Sequence, residues 1–288
     1  MTPSARADLR AALAGVRALV LDADGVVYTR GAALPGAVDA LAELDARGTP
    51  YRIATNISSM HRASLAASFA RMGLAVSPDR IVTALSATAD HVRRAHPGEP
   101  VFVITRPDGL REFDGQPLLR PGDVDREGAH AAAVVLGDGG PDLSNENLDR
   151  AFRLVRRGAE LIAVHRNPWW YTATGETLDT GAFVAALEYA TGTRALLVGK
   201  PAPLMFRSAV ASLAAEVAAP GARRLVRGEV AMVGDHASQD IAGARRAGLL
   251  GILVLSGRTP AGEVPGLRGR SVPAAVAATL GDVVAALG

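Results

Sequence analysis

Ala18-Leu19-Val20-Leu21-Asp22-Ala23-Asp24-Gly25-Val26-Val27-Tyr28 is the stretch on which the reading of this chain turns. Four consecutive apolar residues are too few for a helix and show no polar alternation. They predict a strand buried on both faces, as in a parallel sheet covered by helices. Asp22 emerges directly from that core, and Asp24 follows two positions later. Acids so close together repel one another unless a cation lies between them. A hard divalent ion with oxygen ligands, such as Mg²⁺, meets that need. A purely structural role as caps on the following turn fits less well, because Gly25 and apolar Val26-Val27 leave such caps little to satisfy.

Short apolar runs and helical patterns alternate outward from this stretch. Tyr51-Arg52-Ile53-Ala54 reads as the next strand, ending at Thr55-Asn56, and Ile81-Val82-Thr83 as a third. Helices are predicted over 34–47, 62–72 and 86–94. The first has Pro35 at its start and Gly48 just past its end, and Gly73 closes the second. A second series has strands over 101–104, 132–136 and 161–164, helices over 109–113 and 145–157, and an irregular stretch from Arg166 to Tyr171. A third has helices over 181–191, 203–215 and 238–247, with strands over 195–198, 230–233 and 251–255. The Ala-rich segment Pro273 to Leu287 reads as a surface helix. The pattern predicts a doubly wound α/β fold with a parallel sheet. Its core domain takes residues 1–96 and 181–288, and a second domain is inserted over 97–180. Gly137-Asp138-Gly139-Gly140 reads as a plain loop, since no helix begins close enough to make it a phosphate cradle.

Ligands of an open parallel sheet bind beyond the carboxyl ends of its strands. Asp22 and Asp24, Thr55-Asn56, Lys200 and Gly234-Asp235 all fall at such ends. A carboxylate oxygen can attack phosphorus to form an aspartyl-phosphate that water then hydrolyses. Catalysis of phosphoryl transfer is mainly positioning plus positive charge. Lys200 and the metal would supply the charge, and Thr55 with the backbone N–H of Asn56 would hold phosphate oxygens. Asp24 would protonate the leaving oxygen and later take a proton from water. Lys200 is the sole lysine among 31 Lys and Arg residues, which marks its place at a strand end as informative.

Composition narrows the classes. The chain has 288 residues, 49% of them hydrophobic, enough to bury a large core without disulfides. The absence of cysteine excludes thiol catalysis and thiolate metal ligands, and fits a reducing cytosol. The 31 basic and 29 acidic residues nearly balance, and the arginine pairs lack interleaved aromatics, so no nucleic-acid groove is expected. Residues 1–15 predict a short amphipathic helix rather than a targeting segment. No run of apolar residues is long enough to span a membrane, so a cytoplasmic protein is expected. His61, His91, His96 and His130 read as surface residues not spaced as metal ligands.

The four motifs Asp22-Ala23-Asp24-Gly25-Val26-Val27-Tyr28, Thr55-Asn56, Gly199-Lys200-Pro201 and Gly234-Asp235-x4-Asp240 resemble, in order, those of the haloacid dehalogenase superfamily. The large insert between the second and third motifs is similar to the type-2-capped, NagD-like branch (subfamily IIA) of its phosphatases. Within that branch, residues 109–114 and 183–201 look most like phospholysine phosphohistidine inorganic pyrophosphate phosphatase. The resemblance implies a Rossmann-like core of strand order 3-2-1-4-5 and an inserted α/β cap. It implies Asp22 as nucleophile and Asp24 as acid/base. It also implies Mg²⁺ on the Asp22 side chain, the Asp24 backbone carbonyl and Asp235, with Asp240 orienting its neighbours. The cap would set leaving-group specificity, with Trp169, Trp170 and Tyr171 as a candidate wall, and could carry a homodimer contact. The substrate implied is a small phosphorylated metabolite: a phosphate monoester, phosphoramidate or pyrophosphate. Two departures stand out. Ile57 precedes Ser58 where relatives often carry a polar residue, and His236 follows Asp235 where several carry Asp or Asn. Two other readings remain at this stage, a carbon–halogen hydrolase of the same superfamily and a catalytically weak binding protein. Asp24 and the implied metal argue against the first, and the intact set of acids and lysine against the second.

Overall fold

The apolar runs become strands. A computed structural model describes residues 3–172, 175–218 and 223–288. In chain order the strands of its sheets are Ala18–Asp22 (β1), Tyr51–Thr55 (β2), Ile81–Thr83 (β3), Val101–Ile104 (β4), Ala133–Leu136 (β5), Glu160–Ala163 (β6), Trp169–Thr172 (β7), Gly175–Leu178 (β8), Leu196–Leu197 (β9), Val230–Gly234 (β10), Leu250–Val254 (β11) and Ala275–Ala277 (β12); a small ribbon, Tyr28–Thr29 with Ala32–Ala33, is left unnumbered. The chain divides into two compact units. One comprises Met1–Thr55, Leu65–Val82 and Lys200–Gly288, the other Asn56–Ser64 and Thr83–Gly199.

The first unit is built on a six-stranded sheet ordered β12-β11-β10-β1-β2-β3. This is the expected 3-2-1-4-5 order of a haloacid-dehalogenase-type core, with β12 added at the edge. β1 pairs in parallel with β10 on one side and β2 on the other. All five residues of β1 are buried, as its unbroken apolar run requires. Helix Pro203–Glu216 starts with Pro203 in its first turn and buries Met205, Phe206, Ala209 and Leu213. The expected helix over 273–287 is shorter. Ala275–Ala277 instead forms β12, pairing in parallel with β11 through Ile252↔Ala275 and Val254↔Ala277. The helix begins only at Leu280, where Thr279 accepts from the Asp282 N–H and Asp282 caps in return. The expected helix over 238–247 opens with a wide π-type turn, Ala237–Ile241, before the α-helix Ala242–Ala247.

The second unit has its own four-stranded sheet, ordered β9-β6-β5-β4 and parallel throughout. Phe102, Val134, Leu136 and Leu161 from the sheet and Leu154, Val184 and Leu187 from helices Asn145–Arg156 and Thr180–Thr191 make its core. This α/β insert extends beyond 97–180 at both ends. Leu196 of β9 pairs with Ile162 of β6, which brings 196–197 into the unit. Helix Ala84–Ala95 joins it as well, and His96 just past its end lies 2.8 Å from Glu160 at the start of β6. His91 Nε2 lies 3.6 Å from the same carboxylate, beyond hydrogen-bond distance, so both histidines sit half-buried beside Glu160 rather than free on the surface. The stretch read as irregular over 166–171 is also more regular than expected. Trp169–Thr172 forms β7, antiparallel to β8, because three aromatic residues and a β-branched threonine favour extended backbone. Among the described residues, no helix is long and apolar enough to cross a membrane.

Candidate active site

Strand register brings the chemistry together. Asp22 pairs with Ala54, so the next residue of β2, Thr55, lies at the same edge. Leu21 pairs with Val233, which sets Asp22 beside Gly234 and the Asp235 that follows it. Lys200 enters just before helix Pro203–Glu216. Asp22, Lys200, Asp235 and Asp240 are all buried, between 0% and 9% exposed.

Lys200 Nζ lies 2.5 Å from Asp22 Oδ1 and donates to Asp240 Oδ1 at 2.7 Å. The other Asp240 oxygen accepts the His236 N–H at 3.0 Å. Asp240 thus spends one oxygen on the lysine and the other on the backbone after Asp235. Asp22 Oδ1 also accepts the Ala23 N–H at 2.7 Å. Asp235 Oδ2 accepts the Arg258 N–H at 2.6 Å. Gly25, with φ +77°, and Gly257 both run so close to Asp235 that a Cβ on either would collide with its carboxylate. Only glycine lets the backbone approach that acid so closely from two directions.

The site is short of positive charge. Asp22, Asp235 and Asp240 each present a carboxylate oxygen within 4.8 Å of the others. Three carboxylates against one ammonium leave two negative charges uncompensated in a buried place. Burial first, and then the charge of Asp240, push the Asp22 carboxyl well above its usual range against the pull of Lys200. Burial and Asp240 likewise raise Asp235. Burial alone would discourage the Lys200 ammonium, but Asp22 and Asp240 outweigh it and hold the lysine charged. Hard oxygen donors, an excess of two negative charges and acids strained toward protonation suit a divalent cation of the Mg²⁺ kind, which would reverse the carboxylate shifts.

The other expected site residues fall in several places. Asp24 is exposed, just past β1, where its backbone forms a bridge with Tyr28. His236 is half-buried, its Nδ1 lying 3.2 Å from Ser238 Oγ, and burial lowers its pKa. Asn56 belongs to the second unit, where it packs against Gly199, and so do the aromatics of β7. Trp169, Trp170 and Tyr171 are 49%, 45% and 68% exposed, with Trp169 and Tyr171 in edge-to-face contact at 5.2 Å between ring centroids.

One part of the rim escaped the sequence reading. Leu255-Ser256-Gly257-Arg258-Thr259, directly after β11, holds Asp235 in place. Besides the Arg258 amide, the Thr259 N–H donates to the Asp235 carbonyl at 3.0 Å, and Thr259 Oγ1 accepts from Ala237 N at 3.0 Å. Ser256 Oγ donates to the Gly25 carbonyl at 2.7 Å. The available signal was positional. Ser, Gly and Thr follow a buried strand adjacent to β10, at the same carboxyl edge.

Comparison with known proteins agrees with this geometry. A family model described as haloacid dehalogenase-like hydrolase matches residues 19–116, and one described as HAD-hydrolase-like matches 197–283. Haloacid dehalogenase-like hydrolase domain-containing protein 2 of Mus musculus is 32% identical over 88% of this chain and 89% of its own length. The chain belongs to the haloacid dehalogenase-like hydrolases. Within this family it is similar to the phospholysine phosphohistidine inorganic pyrophosphate phosphatase of Homo sapiens, 32% identical over 85% of each chain. Among solved structures it is similar to a glycerol phosphate phosphatase from Mycobacterium tuberculosis in complex with magnesium. That likeness has a TM-score of 0.79 at 27% identity, covering 94% of this chain and 77% of that one.

Proposed function

We propose that this haloacid dehalogenase-like hydrolase is a Mg²⁺-dependent phosphatase. It acts on a small phosphorylated metabolite through an aspartyl-phosphate on Asp22. The observation that carries this reading is the buried Lys200 ammonium bridging Asp22 and Asp240, with Asp235 alongside. Lys200 and the Ala23 amide both engage Asp22 Oδ1, so Oδ2 is the oxygen presented for attack. As Asp22 Oδ2 bonds to phosphorus, the phosphorus–leaving-group bond breaks, and Asp24 gives its proton to the departing atom. Asp24 then takes a proton from the water that attacks phosphorus, and Asp22 returns to its carboxylate as inorganic phosphate departs. Lys200, the Thr55 hydroxyl and the Asn56 N–H hold the phosphoryl oxygens. Asp22, Asp235 and the Asp24 backbone carbonyl would hold the metal, which when bound supplies two positive charges against the developing phosphoryl charge. Asp240 orients Lys200 through one oxygen and the backbone after Asp235 through the other, beside the acids that would carry the metal.

The second unit is the specificity-setting cap in this reading. Trp169, Trp170 and Tyr171 offer an exposed aromatic face of the kind that would suit a flat leaving group, or the contact of a cap-mediated homodimer. The name of the human relative extends the candidate bonds from P–O to P–N and P–O–P. A carbon–halogen hydrolase would need neither the acid at Asp24 nor a cation among Asp22 and Asp235. The test is hydrolysis of 4-nitrophenyl phosphate with Mg²⁺ present. EDTA should abolish turnover, and excess Mg²⁺ should restore it. Hydrolysis that survives EDTA would remove the metal from this account, and none on a panel of phosphate esters and phosphoramidates would favour a binding protein.

A further inference from the structure

The second unit has a parallel sheet of its own, and the place where such a sheet takes a ligand is beyond the carboxyl ends of its strands. In this chain that place is filled by residues 56–58. Thr105, after β4, donates from Oγ1 to the Ser58 carbonyl at 2.5 Å. Asp138, after β5, donates its N–H to Ser58 Oγ at 3.0 Å. His165, after β6, places Nε2 2.9 Å from the same Ser58 Oγ. At Gly137 a Cβ would lie 3.3 Å from the Ser58 carbonyl, and at Gly199, beyond β9, 2.8 Å from Asn56 Oδ1. Each strand of the sheet therefore ends against this short segment. Ser58 is 2% exposed and His165 4%.

Buried polar groups are costly unless satisfied, and His165 is satisfied on one side only. Among the described residues its Nδ1 has no hydrogen-bond partner. Asp179 Oδ1 lies 3.8 Å from Nε2, on the Ser58 side of the ring. A serine–histidine–aspartate relay would need the acid on Nδ1, so the cluster is not a second hydrolytic centre. An apolar side chain would fill the same space without leaving an orphaned nitrogen. What the imidazole alone provides is the bond to Ser58, two residues beyond Asn56 and three beyond Thr55.

We propose that His165 and Ser58 form a positioning pair: their hydrogen bond fixes the backbone of residues 56–58, and so sets how well the Thr55-Asn56 corner grips a phosphate. The inference rests on the phosphatase reading above. Phosphate recognition by backbone N–H groups depends on their orientation, and small misplacements cost binding. Neither side chain of the pair is placed on substrate; His165 acts through Ser58, and Ser58 through the backbone of residues 56–58.

The experiment compares wild type with Ser58→Ala, His165→Ala and the double variant, all with Mg²⁺. Readouts are KM and kcat for 4-nitrophenyl phosphate and the Kd of inorganic phosphate by calorimetry. Each single variant should raise KM and the phosphate Kd about tenfold, the scale of one lost hydrogen bond, with kcat changed far less. The double variant should be no worse than the weaker single, because both remove the same contact. Leu154→Ala, a cavity in the core of the same unit, should lower Tm without moving KM. Ser58→Ala removes one oxygen and keeps the test valid if His165→Ala does not fold. Unchanged phosphate affinity in Ser58→Ala, additive effects in the double variant, or an equal rise of KM in Leu154→Ala would overturn the proposal. If Asp22→Asn hydrolyses as well as wild type, it is the phosphatase reading itself that fails, and this inference with it.

Discussion

Asp22→Asn should lower kcat for 4-nitrophenyl phosphate by about 10⁴-fold or more, with the protein still folded and as stable as wild type. The amide matches the carboxylate in size and can still accept from the Ala23 N–H and Lys200, the contacts made by Asp22 Oδ1. What it lacks is a nucleophilic oxygen. It also lacks a charge that burial and Asp240 disfavour in the metal-free protein. Stability therefore has no reason to fall, and a loss of activity without a loss of Tm separates chemistry from folding. Equal activity in both proteins would mean that Asp22 is not the group that attacks.

Lys200→Met should be damaging in a different way. Removing one partner of a buried ion pair costs about 3–5 kcal/mol, because the remaining charge is left unpaired. Here two carboxylates, those of Asp22 and Asp240, lose the same ammonium. The catalytic loss, of the size seen when one charge-stabilising donor is deleted, should be about 10²–10³-fold in kcat. The pH dependence identifies the cause. Without the lysine, Asp22 and Asp240 face each other, and burial already pushes Asp22 up. An acid whose folded pKa lies above its unfolded value of about 4 gives stability that is full below that value and is lost as pH rises through the folded pKa. Denaturant unfolding without metal should therefore show the variant recovering toward wild type as pH falls from 7 to about 4. A deficit that stays constant with pH would point to lost packing instead.

The core sheet was largely legible in the sequence because its main strands are mostly apolar runs, β2 with Arg52 inside it, that stop at a polar or glycine-acid boundary. β1 ends at Asp22, β2 at Thr55, and β10 at Gly234 before Asp235. The same punctuation marked the acids before any geometry was available, whereas Lys200 follows β9, a strand of the second unit's sheet and not of the core sheet. The sole lysine stood out by composition, and it proves to be buried between two carboxylates. Elements decided by tertiary contact were less legible. Ala275–Ala277 has no strand signal of its own in an Ala-rich stretch, and it becomes β12 because β11 presents an open edge. Trp169–Tyr171 carried too little pattern to reveal a ribbon whose partner, β8, begins at Gly175. The extent of the second unit was hidden for the same reason, since β9 is only Leu196–Leu197 and takes its identity from β6. The Ser58–His165 contact joins residues 107 positions apart, and no local pattern announces it.

The claim on which the account stands is that phosphorus becomes bonded to Asp22 during turnover. The direct measurement is to quench the Mg²⁺-loaded enzyme in acid during steady-state hydrolysis, reduce any acyl phosphate with labelled borohydride, and locate the label by peptide mass spectrometry. The account predicts label on Asp22, dependent on substrate and absent from Asp22→Asn. Label on another residue, or none while hydrolysis is in progress and a known acyl phosphate is trapped in parallel, would contradict it.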